Sequence, residues 1–176
     1  DSPQGRFTDS RLVDGHELIE ASAVGKQMFL HFGADLILRI HLGIYGKWRF
    51  HEGEIPEVVG QVRARFMAGG VTAELRGPTV CEVIDSDALA EVFDRLGPDP
   101  LNPDPSGAEL KRFAARVSRS ATPIGLLLMN QEVVSGIGNV YRAEILFRAR
   151  INPHTPGNAL KPKQIKDLWV DSVKLL

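Results

Sequence analysis

Gly136 and Gly138, one residue apart and directly ahead of Asn139, are the residues of this chain best suited to chemistry, and that chemistry is the binding of an anion. They lie in Leu126-Leu-Leu-Met-Asn-Gln-Glu-Val-Val-Ser-Gly-Ile-Gly-Asn-Val-Tyr-Arg-Ala-Glu-Ile-Leu-Phe147, which reads as an apolar helix, a glycine-punctuated double turn and a second helix opening at Asn139. Glycine lets the backbone take positive φ and approach a ligand closely. The free N–H groups of the helix start, with the positive end of its dipole, favour a phosphate, and Asn139 adds a side-chain amide there. Gln131 and Glu144 read as braces of the turn, and Arg142, Arg148 and Arg150 as candidate phosphate contacts. The five histidines His16, His31, His41, His51 and His154 show no ligand spacing, so no metal site is expected. His31 and His41 alternate with core positions and read as structural hydrogen-bonders. Cys81, the single cysteine, sits in an apolar run and reads as a buried, inert thiol.

The elements that must position these residues fall into two kinds. From Gly15 to Ile84, short β-branched and aromatic runs are separated by Gly and Asp, which predicts antiparallel strands over 18–22, 27–32, 36–42, 47–50, 62–67, 71–75 and 79–83. Ala68-Gly-Gly70 and Gly33-Ala-Asp35 read as tight connections. In Val62-Arg-Ala-Arg-Phe66 the alternation sends Val62, Ala64 and Phe66 to a core and Arg63 and Arg65 outward. Asp85 and Ser86 cap a short helix with Leu89, Val92, Phe93 and Leu96 on one face. Gly97 to Gly107 contains four prolines and reads as a linker. Beyond it, Ser106 and Glu109 form a capping box for a helix with Leu110, Phe113, Ala114 and Val117 inward. Thr122 and Pro123 supply N-cap and N1 of the helix before the double turn. A last helix starts near Pro162, with Ile165, Leu168, Trp169 and Ser172 on one face. The class is α+β: a β-sandwich over 1–97, a linker and hinge over 98–106, and a helical domain over 107–176.

At 176 residues and 43% hydrophobic content the chain can bury a real core. No apolar run approaches the roughly 20 residues that span a bilayer, and the N-terminus lacks a signal-peptide layout. A cytoplasmic location, no membrane partner and a monomeric state are the expectations. The net charge of −1 is uninformative, but residues 1–106 carry a net −7 and residues 107–150 a net +4. The basic part carries the glycine turn, as phosphate docking requires. Counts alone fit a solvated helix face better.

The 25 residues from Met129 to Pro153 resemble the helix-two-turns-helix (H2TH) signature of the formamidopyrimidine-DNA glycosylase and endonuclease VIII family of base-excision repair enzymes. A second segment, Val24-Gly-Lys-Gln-Met-Phe-Leu-His-Phe32 followed by Leu36-Ile-Leu-Arg-Ile-His-Leu-Gly-Ile-Tyr-Gly46, is similar to the family's lysine hairpin and the strand and loop after it. The resemblance implies that Lys26 contacts DNA phosphate and takes part in the chemistry near the damaged base. A lysine beside Gly25 at a turn suits that, as a compact point charge toward a polyanion. It implies that Ile44 and Tyr45, between Gly43 and Gly46, form the wedge that fills the stack when a nucleotide is extruded. The competing reading is a plain hairpin turn with one buried aromatic. Glu74-Leu-Arg-Gly-Pro-Thr79 departs from the family's arginine- and phenylalanine-bearing loop, leaving Arg76 as its only candidate DNA contact.

Two family features have no counterpart. The family's nucleophile is an N-terminal proline amine beside a glutamate acid and base. This chain begins Asp1-Ser-Pro3, and the Pro3 nitrogen is an amide. The family's zinc finger needs four cysteines, so no cofactor is expected in this chain and the zinc would lie outside it. Truncation at both ends is therefore expected, with the nucleophile beyond the chain. The implied activity is a DNA glycosylase and abasic-site lyase acting on oxidised bases in damaged double-stranded DNA, which would lie between the β-rich and helical parts. The alternative is a non-catalytic nucleic-acid-binding H2TH module, of the kind that resembles parts of ribosomal and topoisomerase proteins.

Overall fold

The computed structural model describes residues 1–33 and 35–176. The chain divides into two compact units, Asp1–Ala90 and Glu91–Leu176. Among the described residues no helix is long and apolar enough to cross a membrane.

The first unit opens with a single helical turn, α1 (Ser10–Val13), and continues through seven strands: β1 (Glu20–Val24), β2 (Gln27–Gly33), β3 (Leu36–His41), β4 (Lys47–Glu52), β5 (Val62–Ala68), β6 (Val71–Arg76) and β7 (Val80–Ile84). They form two antiparallel sheets, ordered β1-β2-β3-β7 and β4-β6-β5. Leu30, Leu38 and Ile40 of the first sheet and Ala64 and Leu75 of the second share one buried cluster, so the expected sandwich is present. The β5–β6 turn is Gly69 and Gly70, at φ 57° and 76°, the doubly positive geometry that a two-residue hairpin turn demands. The other expected connection, Gly33-Ala34-Asp35, includes Ala34 and lies outside the described residues.

Arg65 corrects the simple alternation. It points away from the sandwich core yet is only 6% exposed. Residues 53–60 fold back over that face of the second sheet and bury it. Arg65 stands opposite Glu74 in register and donates to its carboxylate at 2.7 Å and to the Pro56 carbonyl at 2.8 Å. Arg76 donates to the other Glu74 oxygen at 2.7 and 3.1 Å and to the Val59 carbonyl. Glu74 is wholly buried, so two guanidinium groups neutralise it, and each also donates to a loop carbonyl.

In the second unit the helices are α3 (Ala108–Ser118), α4 (Ile124–Leu127), α5 (Asn139–Ala149) and α6 (Pro162–Leu175); α2 (Ser86–Arg95) straddles the division, with Asp85 accepting from the Ala88 N–H at 2.8 Å. Their core gathers Phe113, Val117, Ile124, Leu128, Ile137, Ile145, Leu168 and Trp169, with the Phe113 and Trp169 rings 5.5 Å apart. On α6 the face Ile165, Leu168, Trp169 and Ser172 is buried as expected.

The helix starts differ from expectation. Asp104, not Ser106 with Glu109, caps α3, accepting from the Leu110 N–H at 3.0 Å; Glu109 pairs with Arg112. The Ser106 hydroxyl accepts instead from the Ala108 N–H at 3.3 Å, so Asp104 and Ser106 share the opening donors of the helix and the expected box does not form. Those backbone donors, Leu110 first, hold the Asp104 carboxyl below its usual range. Helix α4 starts one residue late, at Ile124, because Pro123 bridges Pro156 and the Ile124 N–H is taken by the Thr155 carbonyl at 2.8 Å. The start of the proline-rich segment belongs to the second unit. The Gly97 N–H donates to the Gln131 carbonyl at 2.7 Å, and the Pro98 carbonyl accepts from Ser135 at 3.0 Å.

Burial alone would raise the Glu74 pKa, but the bonds from Arg65 and Arg76 outweigh it and hold the carboxylate below its usual range. A depressed carboxylate stabilises the fold above its unfolded pKa and loses that contribution as pH falls through the folded one. Urea unfolding of Glu74→Gln should show a loss of about 3 kcal/mol at neutral pH, since Arg65 is left buried without its charge partner. Its stability should also fall less steeply than the wild type's below the ordinary carboxylate range. Unchanged stability, or an identical acid limb, would contradict this role.

Candidate nucleic-acid interface

In the first unit Lys26 is the second residue of the two-residue β1–β2 turn, behind Gly25 at φ 58°. Glycine with positive φ in the first turn position is what lets this hairpin close so tightly. Partial burial lowers the Lys26 pKa. Met28 stands opposite Ile40 in the β2–β3 register, so the Lys26 turn lies at the same end of the sheet as the loop that follows His41.

That loop, residues 42–46, is a locked turn. The Gly46 N–H donates to the Leu42 carbonyl at 3.0 Å, and the Gly43 N–H donates to His41 Nδ1 at 3.1 Å. Gly43 has φ 69°, and a Cβ there would run into the Thr79 hydroxyl. At the tip Ile44 is 89% exposed and Tyr45 86% exposed. The plain-hairpin reading, which needs a buried aromatic, is therefore excluded. One large aliphatic and one aromatic side chain thus stand out in water on a hydrogen-bonded turn.

His41 has more to do than the sequence indicated. Burial, then Lys26 and Arg39, lowers its pKa, which favours the neutral ring. With Nδ1 accepting from Gly43, the neutral ring carries its hydrogen on Nε2 and is a donor there. The available signal was its place immediately before the glycine-flanked pair. His31 bonds Ser22 at 3.3 Å, as a structural histidine would.

In the second unit the double turn is organised by Gln131. Its side-chain amide donates to the Met129 and Ile137 carbonyls, each at 3.1 Å, and its side-chain oxygen accepts from the Gly136 N–H at 3.0 Å. Gly136 has φ 90°, and the buried Val133, Val134 and Ile137 anchor the turn from below. Gly138, in extended conformation, is the N-cap of α5, and among the described residues no side chain caps that helix. Its opening donors are therefore left to an external acceptor, and Asn139, the first helical residue, is exposed beside them. Glu144 is exposed on α5, and the brace is Gln131.

The arginines sort by geometry. Arg142 is half-buried one turn into α5. Arg148 is paired with Asp171 through two bonds of 3.2 Å. Arg150 ends α5 at φ 53°, at the opposite end of the helix from Asn139. Arg76 is committed to Glu74 and the Val59 carbonyl, with its side chain 14% exposed, so it is not an open DNA contact. The Cys81 thiol is pushed up to about 11 by burial and is no nucleophile. The Asp1 nitrogen donates to the Arg65 carbonyl at 3.0 Å, along the edge of β5. Among the described residues no group of three or more His, Cys, Asp or Glu is placed to hold a metal.

The first unit is thus a β-sandwich bearing a hairpin lysine and an exposed apolar turn, and the second is a helical unit whose glycine turn opens α5. The formamidopyrimidine-DNA glycosylase H2TH domain matches residues 96–176. The chain is 46% identical to "Endonuclease 8 1" of Mycobacterium tuberculosis over 99% of its own length and 66% of the relative's. It is 31% identical to the formamidopyrimidine-DNA glycosylase of Moorella thermoacetica over 92% of its length and 60% of the relative's. The crystal structure of the Lactococcus lactis glycosylase, non-covalently bound to DNA containing an AP site, superposes with a TM-score of 0.80 at 25% identity, covering 91% of this chain and 62% of that one. A second structure, the same enzyme with FAPY-dG DNA, gives 0.86 at 23% identity, over 99% and 68%. The chain belongs to the formamidopyrimidine-DNA glycosylase and endonuclease VIII family. It spans just under two thirds of the length of the mycobacterial relatives.

Because Gln131 alone satisfies three backbone groups of the turn, Gln131→Ala should lower the unfolding free energy by about 2–3 kcal/mol. Hydrogen exchange at Gly136 should accelerate with it. A loss confined to a few tenths of a kcal/mol would show that the turn holds its shape without the amide.

Proposed function

We propose that this chain is the DNA-gripping part of a base-excision glycosylase that removes oxidised bases from damaged duplex DNA and then cuts the abasic site by β-elimination. The observation that carries the reading is the locked turn presenting Ile44 and Tyr45 at the same end of a sheet as Lys26. An enzyme that acts on a stacked base must extrude it and fill the gap. An apolar residue and an aromatic on a rigid turn can do so without the entropy cost of ordering a floppy loop.

The parts divide as follows. Gly136, Gly138 and Asn139 hold a phosphate at the start of α5, with Arg142 one turn on adding positive charge. Lys26 grips a phosphate near the lesion, and His41, through its Nε2 hydrogen, is a neutral donor at the same end of the sheet. None of these contacts reads base sequence, which suits an enzyme that meets damage anywhere. The attacking amine is supplied from outside residues 1–176. Its lone pair bonds the sugar C1′ as the bond to the base breaks, and the departing base takes a proton from a general acid. The C1′–O4′ bond then breaks, O4′ takes a proton and the opened sugar is held as a protonated imine, which acidifies the C2′ hydrogen; a general base removes that hydrogen, and the C2′=C3′ bond forms as the 3′ phosphate leaves. The protein acts as a monomer in the bacterial cytoplasm, on nucleoid DNA. A binding module without chemistry would have no use for the Ile44 and Tyr45 pair.

Fluorescence anisotropy on duplexes with and without an abasic-site analogue tests this. Lys26→Ala and Asn139→Ala should each weaken binding to both duplexes about tenfold. Lys26→Ala should also make the salt dependence shallower, by about 0.9 in slope for the one phosphate no longer neutralised. Ile44→Ala should weaken binding to the abasic duplex and leave the intact duplex unaffected. Equal affinity for both duplexes, or indifference to all three substitutions, would sink the proposal.

A further inference from the structure

The second unit carries an open groove of about 750 Å³ that shares only Arg142 with the proposed phosphate grip. One wall is the α5 face formed by Arg142, Leu146, Phe147 and Arg150, successive turns of one helix. Leu126 and Pro153 form the other. Phe147 is 79% exposed and Leu126 59% exposed, so two large apolar groups flank the groove in water. Its floor is closely fitted. The Gly125 N–H donates to the Pro153 carbonyl at 2.9 Å, and a Cβ on Gly125 would stand only 3.0 Å from the Pro153 Cβ.

Charge tells which occupant fits. The ionisable residues lining the groove are Arg142, Arg150 and His154, with no carboxylate among them. Neighbouring Arg148 is neutralised by Asp171, whereas Arg142 and Arg150 make no ion pair among the described residues. We infer that this groove docks a short acidic protein segment bearing two or three apolar anchors. Leucine or phenylalanine side chains would enter between Leu126 and Phe147 while flanking carboxylates meet the basic rim, the usual layout of an amphipathic peptide in a groove. Single-stranded nucleic acid fits less well. It relies on successive bases stacking on aromatic faces, and Phe147 is the single phenyl ring in a lining otherwise aliphatic and polar.

The probe is a fluorescein-labelled peptide of about twelve residues with leucine and phenylalanine anchors among Asp and Glu, titrated with the complete protein. A Kd on the order of 10 μM is expected, about tenfold weaker for the same anchors among lysines. Phe147→Asp should weaken binding of the acidic peptide at least tenfold. So should Arg150→Asn, which keeps the left-handed backbone and removes the charge. Both should leave abasic-duplex affinity unchanged. Phe147→Ala is the milder control, and the exposure of the side chain leaves folding intact in each. Lack of binding, equal binding of acidic and basic peptides, or indifference to Phe147→Asp would overturn the inference. Two further results would also overturn it: single-stranded DNA binding that falls in Phe147→Asp, giving the groove to nucleic acid, and self-association that the substitution abolishes, giving it to a second copy.

Discussion

The side chain of Gln131 holds together the part of this protein on which the proposed phosphate grip depends. A turn that must present bare N–H groups to a ligand cannot spend its own backbone on regular hydrogen bonds. Its other polar groups still have to be satisfied where they are buried. Gln131 resolves the conflict by closing three of them from one half-buried amide: the carbonyls of Met129 and Ile137 and the N–H of Gly136. Its own carbonyl receives the Gly97 N–H, so the turn is fastened to the entering chain as well. The turn is thereby rigid, while the opening donors of α5 stay uncapped.

The sandwich uses the same device with charge in place of an amide. Residues 53–60 have no regular partner, and a wholly buried Glu74 would be costly alone. Arg65 and Arg76 meet both needs, because each guanidinium has enough donors to reach the carboxylate and a loop carbonyl together. The loop thus folds as part of the sheet. Close by, where Lys47 pairs with Arg76, the Ile44 and Tyr45 turn is held by the bond from the Gly43 N–H to the His41 ring and by that from the Gly46 N–H to the Leu42 carbonyl. In each case a polar side chain fixes irregular backbone, and the exposed functional groups are those left over.

Strand periodicity and glycine turns made the sandwich readable, since Val, Ile and Phe alternation with tight connections has few other solutions. The strands observed begin or end within two residues of the expected ranges. The α6 face was readable for the same reason, at a period of 3.6. Non-local pairings were not. Arg65 follows the outward alternation faithfully, and only the return of residues 53–60 buries it. Arg76 was readable as a basic residue on a loop motif, but its commitment to Glu74 depends on a sheet register that no local pattern encodes. The capping of α3 by Asp104 was obscured by a nearer Ser106 and Glu109 pair with the right spacing. The resemblance carried Lys26 and Ile44, whereas Asn139 was readable from the glycine turn and the helix start beside it. The locking of the Ile44 turn by His41 needed coordinates, because a histidine before a glycine has many roles.

The most direct measurement is borohydride trapping of the complete natural protein on a duplex containing an abasic site, followed by mass spectrometry of the adduct. A base-excision glycosylase with lyase chemistry, whose attacking amine lies outside residues 1–176, gives one covalent protein–DNA species with the sugar remnant on an amine beyond this chain. A remnant on Lys26 would make this chain its own source of nucleophile and contradict the separation of grip from attack. Tight binding without any trapped species would contradict the enzyme reading itself.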